Sequence, residues 1–114
     1  MTFHIVGSFT RVGRWMSLQE GLEMIRTGKV QESFSGTTHV ALPAEACAFV
    51  KQAAPDSLYI EFNVPSSSLV DTGNGWAKII GPNSLQGRLA ARKKQAVPQM
   101  PRASDIVCIV VKPL

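Results

Sequence analysis

The chain has 114 residues, 45% of them apolar and 18% charged, with 12 Lys and Arg against 8 Asp and Glu for a net charge of +4. That length suits a single domain over 1–114 with one core, and the composition excludes a disordered or collagen-like chain. No apolar run approaches the ~20 residues a membrane-crossing helix needs, and Met1 to Gly7 is too short and interrupted for a signal sequence, so a soluble chain with no membrane partner is expected.

Phe3 to Val6 and Phe9 to Val12 read as short strands broken at Gly7-Ser8. Ser17 then opens a helix, with Glu20 at capping-box spacing and Leu18, Leu22 and Ile25 on one expected inward face. Gly28 stops it, because a glycine takes the left-handed conformation that closes a helix. Thr38 to Leu42 reads as a strand, and Pro43 is placed to open a second helix running to about Ala53, since a first-turn proline loses no hydrogen bond.

The clearest strand follows the Pro55-Asp56 turn. Leu58, Ile60, Phe62 and Val64 share one face, Tyr59, Glu61 and Asn63 the other, and Pro65 ends it. Trp76 to Ile80 is a further strand, Gly81-Pro82-Asn83 a turn, and Ser84 to Lys94 a short helix with Leu85 and Leu89 inward and Arg88 and Arg92 outward. Gln95 to Ser104, holding Pro98 and Pro101, is extended loop. The continuous apolar run from Ile106 to Val111 suits a central strand buried on both faces. The whole reads as an α+β arrangement.

Charge is unevenly spread. From Thr72 to Ser104 the chain carries Lys78, Arg88, Arg92, Lys93, Lys94 and Arg102 but no Asp or Glu. So one-sided a tract points to an anionic client: a nucleotide pyrophosphate, an RNA backbone or an acidic protein surface. Cys47 and Cys108 stand alone with no Cys or His at ligand spacing, so two buried thiols are expected and a metal site is not.

Several constellations point to chemistry. Arg11 and Arg14 flank Gly13 between a strand and a capped helix, where a guanidinium either forks onto a carboxylate or pyrophosphate or pairs with a surface acid. Glu61 lies mid-strand beside Tyr59 and Asn63, a set suited to grasping sugar hydroxyls if that face lines a cleft and routine if it meets water. Gln99 is held between Pro98 and Pro101, in a loop of restricted freedom. Trp15, Tyr59 and Trp76 can stack on a flat ring or simply fill core. His4 and His39 lie in apparent strands without a nucleophile or carboxylate at catalytic spacing. Gly73-Asn74-Gly75 lacks the third glycine and the strand-turn-helix setting of a dinucleotide fingerprint, which excludes a Rossmann reading.

Thr10-Arg11-Val12-Gly13, Met16-Ser17 with Glu20, Gly36-Thr37-Thr38-His39-Val40 and Tyr59-Ile60-Glu61-Phe62-Asn63-Val64-Pro65 together resemble the signature segments of bacterial ADP-ribosyltransferase toxins. The later Gly75-Trp76-Ala77-Lys78-Ile79-Ile80-Gly81-Pro82-Asn83-Ser84-Leu85 and Val97-Pro98-Gln99-Met100-Pro101 resemble the C-terminal toxin domains of Rhs-type polymorphic proteins in the TreTu group, whose studied relatives modify elongation factor Tu.

The resemblance implies a split, twisted β-sheet with a cleft for NAD as co-substrate and no metal. It assigns a first-strand arginine to the phosphates or ribose of NAD, a place Arg11 fits better than Arg14, and Thr37 and Thr38 to the nicotinamide side; Arg14 and the ring of Tyr59 are further candidates for contact with the cofactor. Either Glu61 or Gln99 takes the place of the residue that holds the ribose and stabilises positive charge. It further implies an effector delivered by a secretion system such as type VI into the cytoplasm of a target bacterium, elongation factor Tu as acceptor, and a cognate immunity protein. An NAD glycohydrolase using water as acceptor, and a non-enzymatic RNA-binding module using the basic tract, are the alternatives; the second lacks aromatics interleaved with its cations.

Overall fold

Residues 8–48 and 50–112 are described by the structure, a computed structural model. The expected strand Phe3 to Val6, with His4, lies outside them. In chain order the elements are β1 (Phe9–Met16), α1 (Leu18–Thr27), β2 (Thr37–Ala41), β3 (Leu58–Pro65), a 3₁₀ turn (Ser66–Ser68), β4 (Val70–Asp71), β5 (Trp76–Ile80), α2 (Leu85–Arg92) and β6 (Ser104–Val111). The strands form one six-stranded sheet in the order β4-β5-β2-β1-β3-β6, with every pairing antiparallel. The α+β class is therefore as expected.

The sheet is uneven in its joins. β1 and β3 pair continuously from Phe9 opposite Pro65 to Met16 opposite Leu58, and β2 and β5 pair along all of β2. Between β1 and β2, however, the only registered pair is Gly13 opposite Ala41. The sheet thus consists of two well-zipped halves, β4-β5-β2 and β1-β3-β6, joined at one point.

Alternation along the strands then gives the two faces different jobs. One carries Val12, Met16, Val40, Ile60, Phe62, Val64, Ala77 and Ile79, all buried, and packs beneath Met24, Val30 and Ala103. At the start of α1 the Ser17 hydroxyl accepts from Glu20 N at 3.1 Å, and Gly28 closes the helix with φ 68°. The helix meets the sheet through Gly21 and Met24; a Cβ at Gly21 would stand 2.9 Å from Ile60 Cδ1. Because contact runs along that glycine line, Leu18, Leu22 and Ile25 are 56–61% exposed, contrary to the inward face expected of them.

Four further expectations are corrected. The segment after Pro43 forms no helix among its described residues but a chain of turns, closed by Ala48 N to Glu45 O and Ala53 N to Val50 O. Its carbonyls are engaged elsewhere: Ala46 O by Trp15 Nε1, Val50 O and Ala53 O by Lys112 Nζ. The closing strand β6 is at the sheet edge, not its centre, and Val107, Ile109, Val110 and Val111 are exposed. Leu85 and Leu89 of α2 point outward with the arginines. Both cysteines are exposed, not buried.

Candidate active site

On the other sheet face, Arg11, Gly13 and Trp15 of β1 stand beside Asn63, Glu61 and Tyr59 of β3 on one side of the join. Thr37, His39 and Ala41 of β2, with Ile80, Lys78 and Trp76 of β5, stand on the other. The turns of 42–57 fold over this face. Beneath them, where the halves part, lies a cavity of about 390 Å³ lined by Gly13, Trp15, His39, Tyr59, Trp76 and Gln52 among others. That volume is at the lower end of small-molecule sites and suits a ring-sized group.

Aromatic geometry shapes the cavity. Trp15 and Tyr59 tilt against each other with centroids 5.4 Å apart, and His39 meets Trp76 edge-on at 4.6 Å. Tyr59 fits because its neighbour on β1 has no side chain: a Cβ on Gly13 would collide with the phenol oxygen. Burial holds the His39 imidazole below its ordinary pKa, with the Arg14 and Lys78 charges adding to the effect. A neutral imidazole at pH 7 follows.

A polar cluster adjoins the aromatic wall. The Tyr59 hydroxyl donates to Glu61 Oε2 at 3.1 Å, and Arg11 Nε stands 3.6 Å from Glu61 Oε1. Arg11 Nη1 also donates to Asn63 Oδ1 at 3.3 Å and to the Asp105 carbonyl at 2.7 Å, while Asn63 Nδ2 donates to Asp105 Oδ2 at 3.0 Å. The tyrosine is driven well above the usual phenol pKa by burial first, then by its hydrogen bond to Glu61 and the Glu61 charge. It stays a donor, fixing one carboxylate oxygen, while Arg11 fixes the other.

Arg14 is on the opposite face, toward α1, by strand alternation. Its Nε donates to Glu20 Oε2 at 2.6 Å and its Nη2 to Glu20 Oε1 at 3.3 Å, while Nη1 donates to the His39 carbonyl at 2.8 Å. One guanidinium thus spans the gap between the sheet halves where the backbone ladder is missing.

The sequence candidates are therefore brought together in part. Arg11, Glu61 and Tyr59 meet in one cluster. Thr37 is on the same sheet face but does not line the cavity. Thr38 is buried on the core side, its hydroxyl donating to Gln31 O at 2.9 Å and accepting from Ser33 N at 3.0 Å. Gln99 is exposed, its amide donating to Val97 O at 3.4 Å, with no hydrogen bond to Arg11, Glu61 or Tyr59 among the described residues. Two contributors were not singled out from sequence. Asp105 directly precedes the apolar run of Ile106 to Val111, and Gln52 falls inside the expected helix from Pro43 to about Ala53; neither carries a local signal for its position.

Among the described residues no group of three or more His, Cys, Asp or Glu gathers as metal ligands would. Among the described residues no helix is long and apolar enough to cross a membrane. Residues 9–107 match the family model described as TreTu toxin, C-terminal domain. No curated protein matches the chain.

Proposed function

We propose, from the premise that the chain belongs to the family of TreTu toxin C-terminal domains, that this toxin domain transfers ADP-ribose from NAD to elongation factor Tu in the cytoplasm of a target bacterium. The observation that carries the reading is the Arg11–Glu61–Tyr59 cluster beside an aromatic cavity at the split between sheet halves. The family also implies an immunity protein that protects the producing cell.

In this reading the nicotinamide ring enters the cavity among Trp15, Tyr59 and Trp76, and Arg11 faces the phosphates. Arg11 Nε and Nη1 already face Glu61, Asn63 and Asp105, which leaves Nη2 toward the ligand. The bond between nicotinamide nitrogen and ribose C1′ breaks, its electron pair leaving with neutral nicotinamide. Positive charge then spreads over C1′ and the ring oxygen. Glu61, oriented by Tyr59 and Arg11, lies on the face where that charge develops and stabilises it without having to reorganise. A nucleophile on the acceptor attacks C1′ and releases its proton. In this reading the same carboxylate holds a ribose hydroxyl, which gives Glu61 the role for which Gln99 is the other candidate.

Incubation with labelled NAD and a bacterial lysate, followed by protein and nucleic-acid fractionation, tests this. The expected result is label on one protein band, elongation factor Tu, lost in Arg11→Ala and Glu61→Gln. Label on RNA would redirect the acceptor, free ADP-ribose alone would favour the glycohydrolase, and unconsumed NAD would overturn the reading.

A further inference from the structure

Helix α2 is pinned at both ends yet presents most of its surface to solvent. At its start Ser84 Oγ accepts from Gly87 N at 3.0 Å, and Asn83 holds the Glu32 carboxylate through its backbone N at 2.8 Å and its Nδ2 at 2.7 Å. At its end Gln95 N returns to Ala90 O at 2.8 Å. The following loop is tied back by Val30 N to Pro101 O at 3.0 Å and Ala103 N to Gly28 O at 2.9 Å. The helix is therefore held in place as a fixed projection.

What it projects is a mixed face. Gly87 is buried and Ala90 half-buried, and these turn inward. Leu85 is 62% and Leu89 42% exposed, and Arg88, Arg92, Lys93 and Lys94 are all exposed. With 3.6 residues per turn, Leu85, Arg88, Leu89 and Arg92 fall within an arc of about 100°. No acid occurs between Thr72 and Ser104, and the ion pairs among the described residues involve only Arg11, Arg14 and Arg26. The α2 cations therefore have no carboxylate of their own.

We propose that this face of α2 docks an acidic protein, whose apolar slot receives Leu85 and Leu89 while a rim of carboxylates pairs with Arg88, Arg92 and Lys93. Two leucines at i and i+4 flanked on one side by arginines at i and i+4 match the way a helix seats in a groove. Charge complementarity selects the sign of the rim. A nucleic-acid backbone would use the cations and leave both leucines in water. A bilayer surface would gain only two large apolar side chains from two helical turns, too little to anchor a domain. No α2 residue lines the cavity or bonds to Arg11, Glu61 or Tyr59 among the described residues, and the occupant of this surface does not depend on the NAD chemistry.

The test uses the whole domain and three defined probes: a helical peptide of heptads with Leu at a and d and Glu at e and g, a random-sequence RNA, and phosphatidylglycerol vesicles. Binding is read by fluorescence anisotropy for peptide and RNA and by co-sedimentation for vesicles, with circular dichroism checking the fold. The peptide is expected to bind most tightly, and Leu85→Ser/Leu89→Ser and Arg88→Gln/Arg92→Gln are each expected to weaken it by at least about tenfold, the scale of losing anchor residues. Absent peptide binding, a double-leucine variant that binds like the parent, or tighter binding to RNA or vesicles would overturn the proposal. NAD consumption by the same variants, measured without any probe, keeps a failure here distinct from a failure of the transferase reading.

Discussion

The phenol of Tyr59 occupies the space that a side chain on Gly13 would need: a Cβ there would meet the ring oxygen and stand 2.6 Å from Cε1. Gly13 is also the residue through which β1 registers with β2. One missing side chain therefore seats the cavity wall at the residue where the sheet halves join. Gly13→Ala is expected to displace the ring and lower stability by about 1–3 kcal/mol, the usual penalty for overpacking. Chemical denaturation checks the stability loss, and a change in the emission of Trp15, which packs on Tyr59, reports the displacement. An unchanged midpoint and spectrum would contradict the assigned packing.

Tyr59 is the sole tyrosine, so its ionisation can be followed at 295 nm without ambiguity. Burial and the Glu61 carboxylate raise its pKa in the fold, so the folded protein keeps the proton after an unfolded chain, with a phenol near 10, has released it. The stabilisation is fully present below about pH 10 and is lost as pH climbs above it. Tyrosinate absorbance is expected to stay low at pH 10 and to rise together with unfolding. Half-ionisation near pH 10 in a protein still folded would count against the hydrogen bond to Glu61.

Arg14 substitutes for a stretch of missing ladder by joining Glu20 of α1 to the His39 carbonyl of β2. Both side chains of the ion pair are mostly shielded, at 19% and 23% exposure. Arg14→Ala strands the Glu20 carboxylate and the carbonyl together, with an expected loss of about 1.5–3 kcal/mol, the range for hydrogen bonds to charged groups. Arg14→Lys keeps the charge but cannot reach both partners, so it should recover only part of the loss. Thermal melts of the three proteins decide this; equal stability of Arg14→Ala and the parent would remove the bridge.

Much of the fold was legible because its signals are local. The alternation from Leu58 to Val64, the Ser17–Glu20 cap and the Gly28 stop each depend on neighbours within one element. Misreadings arose where distant partners decided the outcome. An apolar run such as Ile106 to Val111 reads alike in a central strand and an edge strand, and here it pairs with β3 alone. The segment from Pro43 to about Ala53 reads as helical from its first-turn proline, yet Trp15 and Lys112, far away in sequence, take its carbonyls. At the site, Arg11, Tyr59 and Glu61 could be picked out by residue type and strand position, whereas the Asp105 carbonyl that steadies Arg11 has no sequence signature.

In the proposed transfer reaction Glu61 and Gln99 are the two candidates for stabilising charge at the ribose, and Glu61 is the one we propose, since Gln99 is exposed and bonded only to Val97 O among the described residues. Removing a preorganised electrostatic group costs about 10²–10³ in kcat, and Glu61→Gln is expected to fall in that range. Gln99→Ala is expected to retain activity within a few fold. Initial rates of nicotinamide release compare them directly, and the reverse order would move the catalytic role to Gln99.

The most direct test of the central claim is calorimetric titration of the domain with NAD, side by side with Arg11→Ala. Saturable binding at one site is expected, weakened by at least about tenfold in the variant, as loss of a charge-assisted contact to phosphate implies. An absence of heat with the parent domain, or equal affinity of both proteins, would contradict a dinucleotide held by Arg11 at the split in the sheet.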